Sequence, residues 1–94
     1  DYLQVSPNPF RNNTKMRYSI LDTGYLMQNP TVSIYDASGR LVSSFDLVSS
    51  IENQESEVIW DGTDQTNHRL PGGVYFLRLE AGDYTETKKI VLLR

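Results

Sequence analysis

The sequence predicts an all-β protein, a sandwich of seven antiparallel strands. Three observations favour this class. Val, Ile, Thr and Tyr, which suit strands, recur throughout the chain, and six of its residues are Tyr. Apolar and polar residues alternate over short runs, and Gly, Pro, Asn or Asp separates one run from the next. No helical period extends beyond a single turn.

The first two strands lie on either side of a proline motif. Leu3 and Val5 alternate with polar neighbours in a short strand. Ser6-Pro7-Asn8-Pro9-Phe10 ends this strand because proline has no N–H donor. Residues 14–20 alternate as a half-buried second strand, whose inward face is formed by Met16, Tyr18 and Ile20. Residues 25–30 form a connection that can hold a further short strand.

The next two strands form a hairpin. Residues 31–36 make one strand, with Val32 and Ile34 facing inward, and residues 41–47 make its partner. Ala37-Ser38-Gly39 between them fits a three-residue loop that has Gly39 in the left-handed conformation. Strict alternation places Leu41, Phe45 and Leu47 on one face of the returning strand.

The remaining three strands lie in the second half of the chain. After a polar loop over residues 49–55, a strand begins near Glu57 and has Val58 and Trp60 on one face. A polar loop over residues 61–73 leads to a closing hairpin of residues 74–80 and 88–94. The length fits an immunoglobulin-like domain of about 100 residues. The absence of cysteine favours the fibronectin-like form of that sandwich.

Composition limits the classes of function. The 94 residues suffice for one domain, and a net charge of −3 argues against a nucleic-acid-binding face, which is basic. Without cysteine there is neither a disulfide nor a thiolate metal site. No apolar run is long enough to span a bilayer as a helix. Because the chain opens on Asp1 rather than Met, we expect residues 1–94 to be a segment cut from a longer precursor. We also expect this segment to be monomeric.

Candidate catalytic and metal-binding residues are few. His68 is the only histidine, and no nucleophile accompanies it in a recognisable pattern. The acidic pairs at positions 55 and 57 and at positions 61 and 64 lack the cleft that acid–base catalysis needs. We therefore expect no catalytic residue and no cofactor. Asp61, Asp64 and Asn67 are weak candidates for calcium ligands. The alternative is that these side chains cap turns in the loop.

The aromatic residues raise the possibility of carbohydrate binding, which needs two or three rings exposed on one face. The candidates are Tyr2, Tyr18, Tyr25, Tyr35, Tyr75, Tyr84 and Trp60. Against that alternative, we expect Trp60 and Tyr75 to lie in the core or at a sheet corner, with the Tyr hydroxyl hydrogen-bonded at the rim.

Several motifs, in order along the chain, resemble those of a known family. They are Ser6-Pro7-Asn8-Pro9-Phe10, Ile34-Tyr35-Asp36-Ala37-Ser38-Gly39-Arg40-Leu41-Val42, Trp60-Asp61-Gly62, Leu70-Pro71-Gly72-Gly73, Gly73-Val74-Tyr75-Phe76-Leu77 and Lys88-Lys89-Ile90-Val91. Over residues 5–94 they resemble the type A C-terminal sorting domain of the type IX (Por) secretion system. They are also similar to the immunoglobulin-like domain of the flagellar hook-capping protein. Tyr25-Leu26-Met27-Gln28-Asn29 departs from the family, because it is bulkier than the short polar link expected there.

The resemblance implies a non-catalytic module that directs a larger cargo protein across the outer membrane of a Bacteroidetes-type bacterium. The module would pass through the periplasm to the cell surface or the medium. The implied partners are components of the outer-membrane translocon, a sortase-like protease and a cargo domain that precedes the module in the same chain. Two alternative functions stay open: a carbohydrate-binding domain of a cell-surface enzyme, and a purely structural accessory domain.

Recognition by the secretion machinery is assigned to a set of residues drawn from the motifs. They are Pro7, Asn8, Pro9, Gly39, Gly73, Tyr75, Lys88, Lys89, Ile90, Val91 and Arg94. We expect a partner to pair with an accessible edge of the terminal strand. Lys88, Lys89 and Arg94 would steer the encounter electrostatically.

Overall fold

The computed structural model describes residues 3–19, 31–46, 55–81 and 84–94, which form seven strands in two sheets. The strands are β1 (Leu3–Ser6), β2 (Thr14–Ser19), β3 (Thr31–Asp36), β4 (Leu41–Asp46), β5 (Glu55–Trp60), β6 (Gly73–Ala81) and β7 (Tyr84–Leu92). One sheet has the order β1-β2-β5 and the other β4-β3-β6-β7, and all neighbouring strands are antiparallel. The predicted seven-strand antiparallel sandwich is confirmed. None of the described residues belongs to a helix that could cross a membrane.

The core fills the space between the two sheets. Alternate residues of the strands supply it, as the sequence periodicity predicts: the buried strand side chains include Leu3, Met16, Tyr18, Val32, Ile34, Leu77, Leu79 and Ile90. Val58 and Trp60 share the inward face of β5, also as predicted. Ile20, Leu47 and the connection at residues 25–30 lie outside the described residues.

The hairpin between β3 and β4 has the predicted geometry. Gly39 has a φ of +91°, in the left-handed region that glycine adopts without strain. The Asp36 carboxylate accepts hydrogen bonds from the Ser38 amide (3.0 Å), the Ser38 hydroxyl (2.7 Å) and the Arg40 amide (2.9 Å). These bonds lower the pKa of Asp36, the Ser38 hydroxyl contributing most.

The predicted face of β4 is wrong because the strand contains a bulge. Ile34 pairs with Ser43 while Tyr35 pairs with Leu41, so Val42 is an extra residue on β4. The bulge turns Val42 into the core and leaves Leu41 54% exposed, although Phe45 still packs against the core. Strict alternation therefore fails between Leu41 and Phe45.

The closing hairpin is longer at one end and shorter at the other than the sequence suggests. β6 and β7 pair without a break from Gly73 opposite Leu92 to Ala81 opposite Tyr84. The last strand ends at Leu92 instead of Arg94, because the β6 residue that pairs with Leu92 is already its first. Leu93 and Arg94 continue past the sheet and contact other parts of the chain.

Candidate functional site

The motifs that are scattered along the sequence meet at one end of the sandwich. Asp36 pairs with Tyr75, and Tyr75 pairs with Ile90, so the β3–β4 hairpin, the start of β6 and the end of β7 lie together. Phe10 forms a parallel bridge with Leu92 at the same end. We call this region, formed by residues 7–10, 60–73 and 89–94, the terminal junction.

The proline motif covers the outer edge of β7. The Asn8 carboxamide donates to the Lys89 carbonyl (2.9 Å) and accepts from the Val91 amide (3.0 Å). The Phe10 amide donates to the Val91 carbonyl (3.0 Å), and the Leu93 amide donates to the Phe10 carbonyl (2.7 Å). These bonds occupy the edge of the terminal strand from Lys89 to Leu93.

The cover is anchored in the core. Phe10 is 2% exposed, and its ring centroid lies 5.4 Å from that of Trp60. The buried Thr14 hydroxyl donates to the Pro7 carbonyl (2.6 Å). The segment pairs with the backbone groups at the edge of β7. Because Pro7 and Pro9 carry no N–H, it does not itself present a complete row of hydrogen-bonding groups to another strand. The expectation of an accessible edge is therefore wrong for the stretch from Lys89 to Leu93.

The opposite edge of the four-stranded sheet is closed in a similar way by Gln65. The Gln65 amide donates to the Val42 carbonyl (3.0 Å), and the Ser44 amide donates to the Gln65 side-chain oxygen (2.9 Å). The Gln65 carboxamide nitrogen lies 3.5 Å from the Ser44 carbonyl. Sequence analysis missed this residue, because nothing in the sequence distinguishes Gln65 from the other polar residues of its loop.

Arg94 binds to the backbone of the long loop. Its Nε donates to the Leu70 carbonyl (2.7 Å), and its Nη2 donates to the Gly62 carbonyl (3.0 Å). A Cβ at Gly62 would lie 2.6 Å from Nη2, and one at Gly72 would lie 3.1 Å from the Arg94 backbone nitrogen. The two glycines thus leave the space that the final residue occupies, and the guanidinium holds the loop against the end of β7.

Trp60 and Tyr75 complete the junction from the core side, as predicted. Trp60 donates from Nε1 to the Thr63 carbonyl (2.9 Å), and the Tyr75 hydroxyl donates to the Pro71 carbonyl (2.6 Å). Their ring centroids lie 5.5 Å apart. Burial raises the pKa of Tyr75, the negative charge of Asp36 acts in the same direction, and Arg94 opposes them. The phenol therefore stays protonated and donates its hydrogen bond at neutral pH.

The polar side chains of the long loop cap its own turns. Asp61 accepts from the amide and hydroxyl of Thr63. Asp64 accepts from the amide and hydroxyl of Thr66 and from the His68 amide, and the His68 bond is the main reason that the pKa of Asp64 is lowered. Asn67 has a φ of +67°. Within the described ranges, no three His, Cys, Asp or Glu residues are grouped as metal ligands. Calcium binding by this loop stays a prediction.

The residues assigned to recognition do not share one exposed surface. Tyr75 and Ile90 are buried, and Lys88 lies on the inward face beside Glu86 (3.7 Å between their charged groups). Lys89 and Val91 lie on the outer face of the sheet. Pro7, Asn8, Pro9, Gly39 and Gly73 are exposed around the terminal junction.

Of the aromatic platform candidates, Tyr18, Tyr75 and Trp60 are buried; Tyr2, Tyr25 and the Tyr84 side chain fall outside the described parts.

Solved structures share this architecture. PorU from Porphyromonas gingivalis, described as dimeric and latent, is 26% identical with a TM-score of 0.72; the match covers 98% of this chain and 9% of that one. PorZ, a surface component of the type IX secretion system of the same bacterium, is 19% identical with a TM-score of 0.67 and coverages of 98% and 11%. CopC from Methylosinus trichosporium OB3b is 18% identical with a TM-score of 0.52 and coverages of 97% and 89%. The last two show the fold alone.

The chain spans about a tenth of the two Porphyromonas proteins. No curated protein matches it. The family model of the secretion system C-terminal sorting domain, however, matches residues 4–93. This match covers every motif on which the resemblance in the sequence rests, and the chain therefore belongs to the secretion system C-terminal sorting domain family.

Proposed function

We propose that the secretion machinery recognises this domain as a folded unit. Membership of the family makes the domain a type IX sorting signal for a larger cargo protein that is exported to the cell surface. The observation that supports recognition of the folded state is the terminal junction. There Asn8 binds Lys89 and Val91 across more than 80 residues of sequence, and Arg94 binds Gly62 and Leu70. A short linear tag would need none of these contacts.

The partners follow from this role. The machinery and a cargo chain are implied by the family, and we assign the first contact to components of the outer-membrane translocon. A sortase-like protease then acts on the cargo at the surface, and the cargo domain precedes the sorting domain in the same chain. Membership of the sorting-domain family supports a place in this secretion route. We propose that the domain does this as a monomer.

The domain itself is proposed to be non-catalytic. Sorting-signal domains of this family generally carry no enzymatic function. The carboxylates of Asp61 and Asp64 are engaged in capping turns, and the exposed His68 ring contacts the Thr66 hydroxyl (2.7 Å). Burial of Tyr18, Tyr75 and Trp60 takes three rings away from a sugar-binding platform, which counts against the carbohydrate-binding alternative.

The test is the export of a reporter protein that carries this domain at its C-terminus. One fusion has residues 1–94, and a second lacks residues 88–94, which form half of β7 and the Arg94 contact. We expect the first in the medium or on the cell surface, and the second to be retained in the periplasm. A control fusion that carries Arg69→Ala, at an exposed loop position, should be exported like the first. Undiminished export after the deletion would exclude a role for the terminal strand.

A further inference from the structure

The cover on the edge of β7 stops halfway along the strand. The proline motif bonds to the backbone of Lys89 and Val91. Because backbone groups of successive strand residues point to alternate sides, those of Thr85 and Thr87 point to the same edge. β7 is the last strand of its sheet, and within the described residues no other strand pairs with it there. This half of the edge is therefore open to the addition of another strand.

Two charged side chains lie on the inward face of β7 beside the open half of the edge. Glu86 and Lys88 share this face with Ile90, which is buried in the core. Their charged groups lie 3.7 Å apart, and their side chains are 15% and 30% exposed, respectively. On a central strand, charges at these positions would be enclosed between the two sheets. Here they keep contact with water because β7 lies at the edge.

The open backbone groups favour one two-fold pairing with a second copy of the domain. Antiparallel pairing through the uncovered groups alone matches Thr85 with Thr87 of the second copy, and it places Glu86 opposite its own equivalent. A register centred on Thr87 would need Lys89, whose carbonyl is already bonded to the proline motif. A register centred on Thr85 would need residue 83, which precedes the start of β7.

In that pairing the charged side chains would lose their contact with water. The added strand would continue the sheet past β7 and close the gap through which Glu86 and Lys88 reach solvent. Each Glu86 would face the same carboxylate across a pair whose Cα atoms approach to about 4.5 Å, with Lys88 of the second copy at the more distant diagonal position. The two lysines balance the net charge, but desolvation of all four groups remains, and for buried ion pairs this cost can exceed the attraction.

We propose that the Glu86–Lys88 pair keeps the open half of the β7 edge from pairing with a second copy of the domain. Inward-facing charges are one of the devices that protect edge strands from edge-to-edge association. The proline motif covers the edge from Lys89 to Leu93, and the charged pair protects the part that precedes it. This protection goes beyond the proposed function, since it concerns self-association and not export, and it gives a physical reason for the proposed monomeric state.

The experiment compares the self-association of the purified domain with that of two double variants. In one, Glu86→Val and Lys88→Val replace the charged pair by apolar β-branched side chains. In the matched control, Lys15→Val and Glu57→Val remove an ion pair of the same residue types and the same 3.7 Å separation from the outer face of the three-stranded sheet. Sedimentation velocity should show dimers of the first variant at concentrations about tenfold or more below those of the unmodified domain. The control should stay within about twofold of the unmodified domain, as for ordinary surface substitutions.

Hydrogen exchange identifies the surface that forms the dimer. Dimers of the first variant should protect the amides of Thr85 and Thr87, which face the open edge in the monomer. If the valine variant does not fold, Glu86→Thr with Lys88→Thr removes the same charges and should associate in the same way. A first variant as monomeric as the unmodified domain, equal association of the control, or dimers in which both amides exchange as in the monomer would overturn the inference. Each of these results leaves the sorting role intact, because no export step enters the measurement.

Discussion

Replacing Gly62 with alanine tests the terminal junction at its tightest point. Gly62 has a φ of +79°, and an added Cβ would meet Arg94 Nη2 at 2.6 Å and Leu92 Cδ2 at 3.2 Å. The left-handed conformation alone costs alanine about 1–2 kcal/mol. Arg94 must also swing away and lose its charged hydrogen bonds, which adds about 1.5–3 kcal/mol. We therefore expect Gly62→Ala to lower the free energy of unfolding by about 2.5–5 kcal/mol.

Gly39→Ala is the matched control, because Gly39 also has a positive φ (+91°) but has nothing within 4 Å of an added Cβ. Gly39→Ala should lower the free energy of unfolding only by the cost of the left-handed conformation, about 1–2 kcal/mol. Urea unfolding followed by Trp60 fluorescence measures both variants. In a domain of this size each kcal/mol corresponds to about 4–8 °C in melting temperature. The difference between the two variants reports the contacts of the added Cβ with Arg94 and Leu92.

A double-mutant cycle provides the refuting result. In an Arg94→Ala background the guanidinium is already gone, so Gly62→Ala should cost little more than Gly39→Ala does. If Gly62→Ala and Gly39→Ala destabilise equally in the unmodified background, Arg94 does not hold the loop. The same conclusion would follow if the cost of Gly62→Ala were unchanged when Arg94 is absent.

Three further predictions concern neighbouring contacts. Phe10→Ala should destabilise the domain by about 3–5 kcal/mol in urea, because it empties a site in the core beside Trp60; a loss below about 1 kcal/mol would show that the cover is not anchored. Asn8→Ala should speed hydrogen exchange at the Val91 amide, which loses its acceptor, and unchanged protection would count against the edge cover. The hydrogen bond from the Ser38 hydroxyl, above all, holds the folded pKa of Asp36 below its ordinary value, so the charge of Asp36 stabilises the fold above the unfolded pKa, and this stabilisation is lost as the pH falls through the folded pKa. Asp36→Asn should therefore make the melting temperature depend less on pH below about pH 4. If the melting temperature of this variant falls at acid pH as steeply as that of the unmodified domain, Asp36 does not have this role.

Local patterns predict most of the fold. Alternation identifies the strands and their inward faces, and the Ala37-Ser38-Gly39 loop is recognisable because its left-handed position requires a residue such as glycine. The bulge at Val42 is not predictable in this way. It depends on how β4 packs against β3, and strict alternation within β4 alone places Leu41 on the wrong face.

The terminal junction depends on contacts between residues that are far apart in sequence. Motif order suggests that the proline motif and the terminal strand belong together, but not that Asn8 and Phe10 close the edge of β7. In the same way, the positive charge of Arg94 suggests electrostatic steering, whereas its position beside Gly62 gives it a structural role. Such contacts depend on register and on the space left by glycine, neither of which periodicity encodes.

The division between structure and recognition has a consequence for variants of the closing motif. Substitutions at inward positions such as Tyr75 and Ile90 affect folding first, because both side chains are buried. Outward positions such as Phe76 and Lys89 are exposed, so substitutions there disturb the core less. Loss of export alone therefore does not identify a recognition residue, and it has to be read together with the stability of the variant domain.

The most direct test of the sorting function compares one reporter, fused to residues 1–94, in a host with the type IX outer-membrane translocon and in the same host without it. The fraction of reporter outside the cell is measured in both. We predict export only when the translocon is present, with the folded reporter accumulating in the periplasm when it is absent. Equal export in both hosts, or retention in both by a fusion that is folded and intact, would contradict the account.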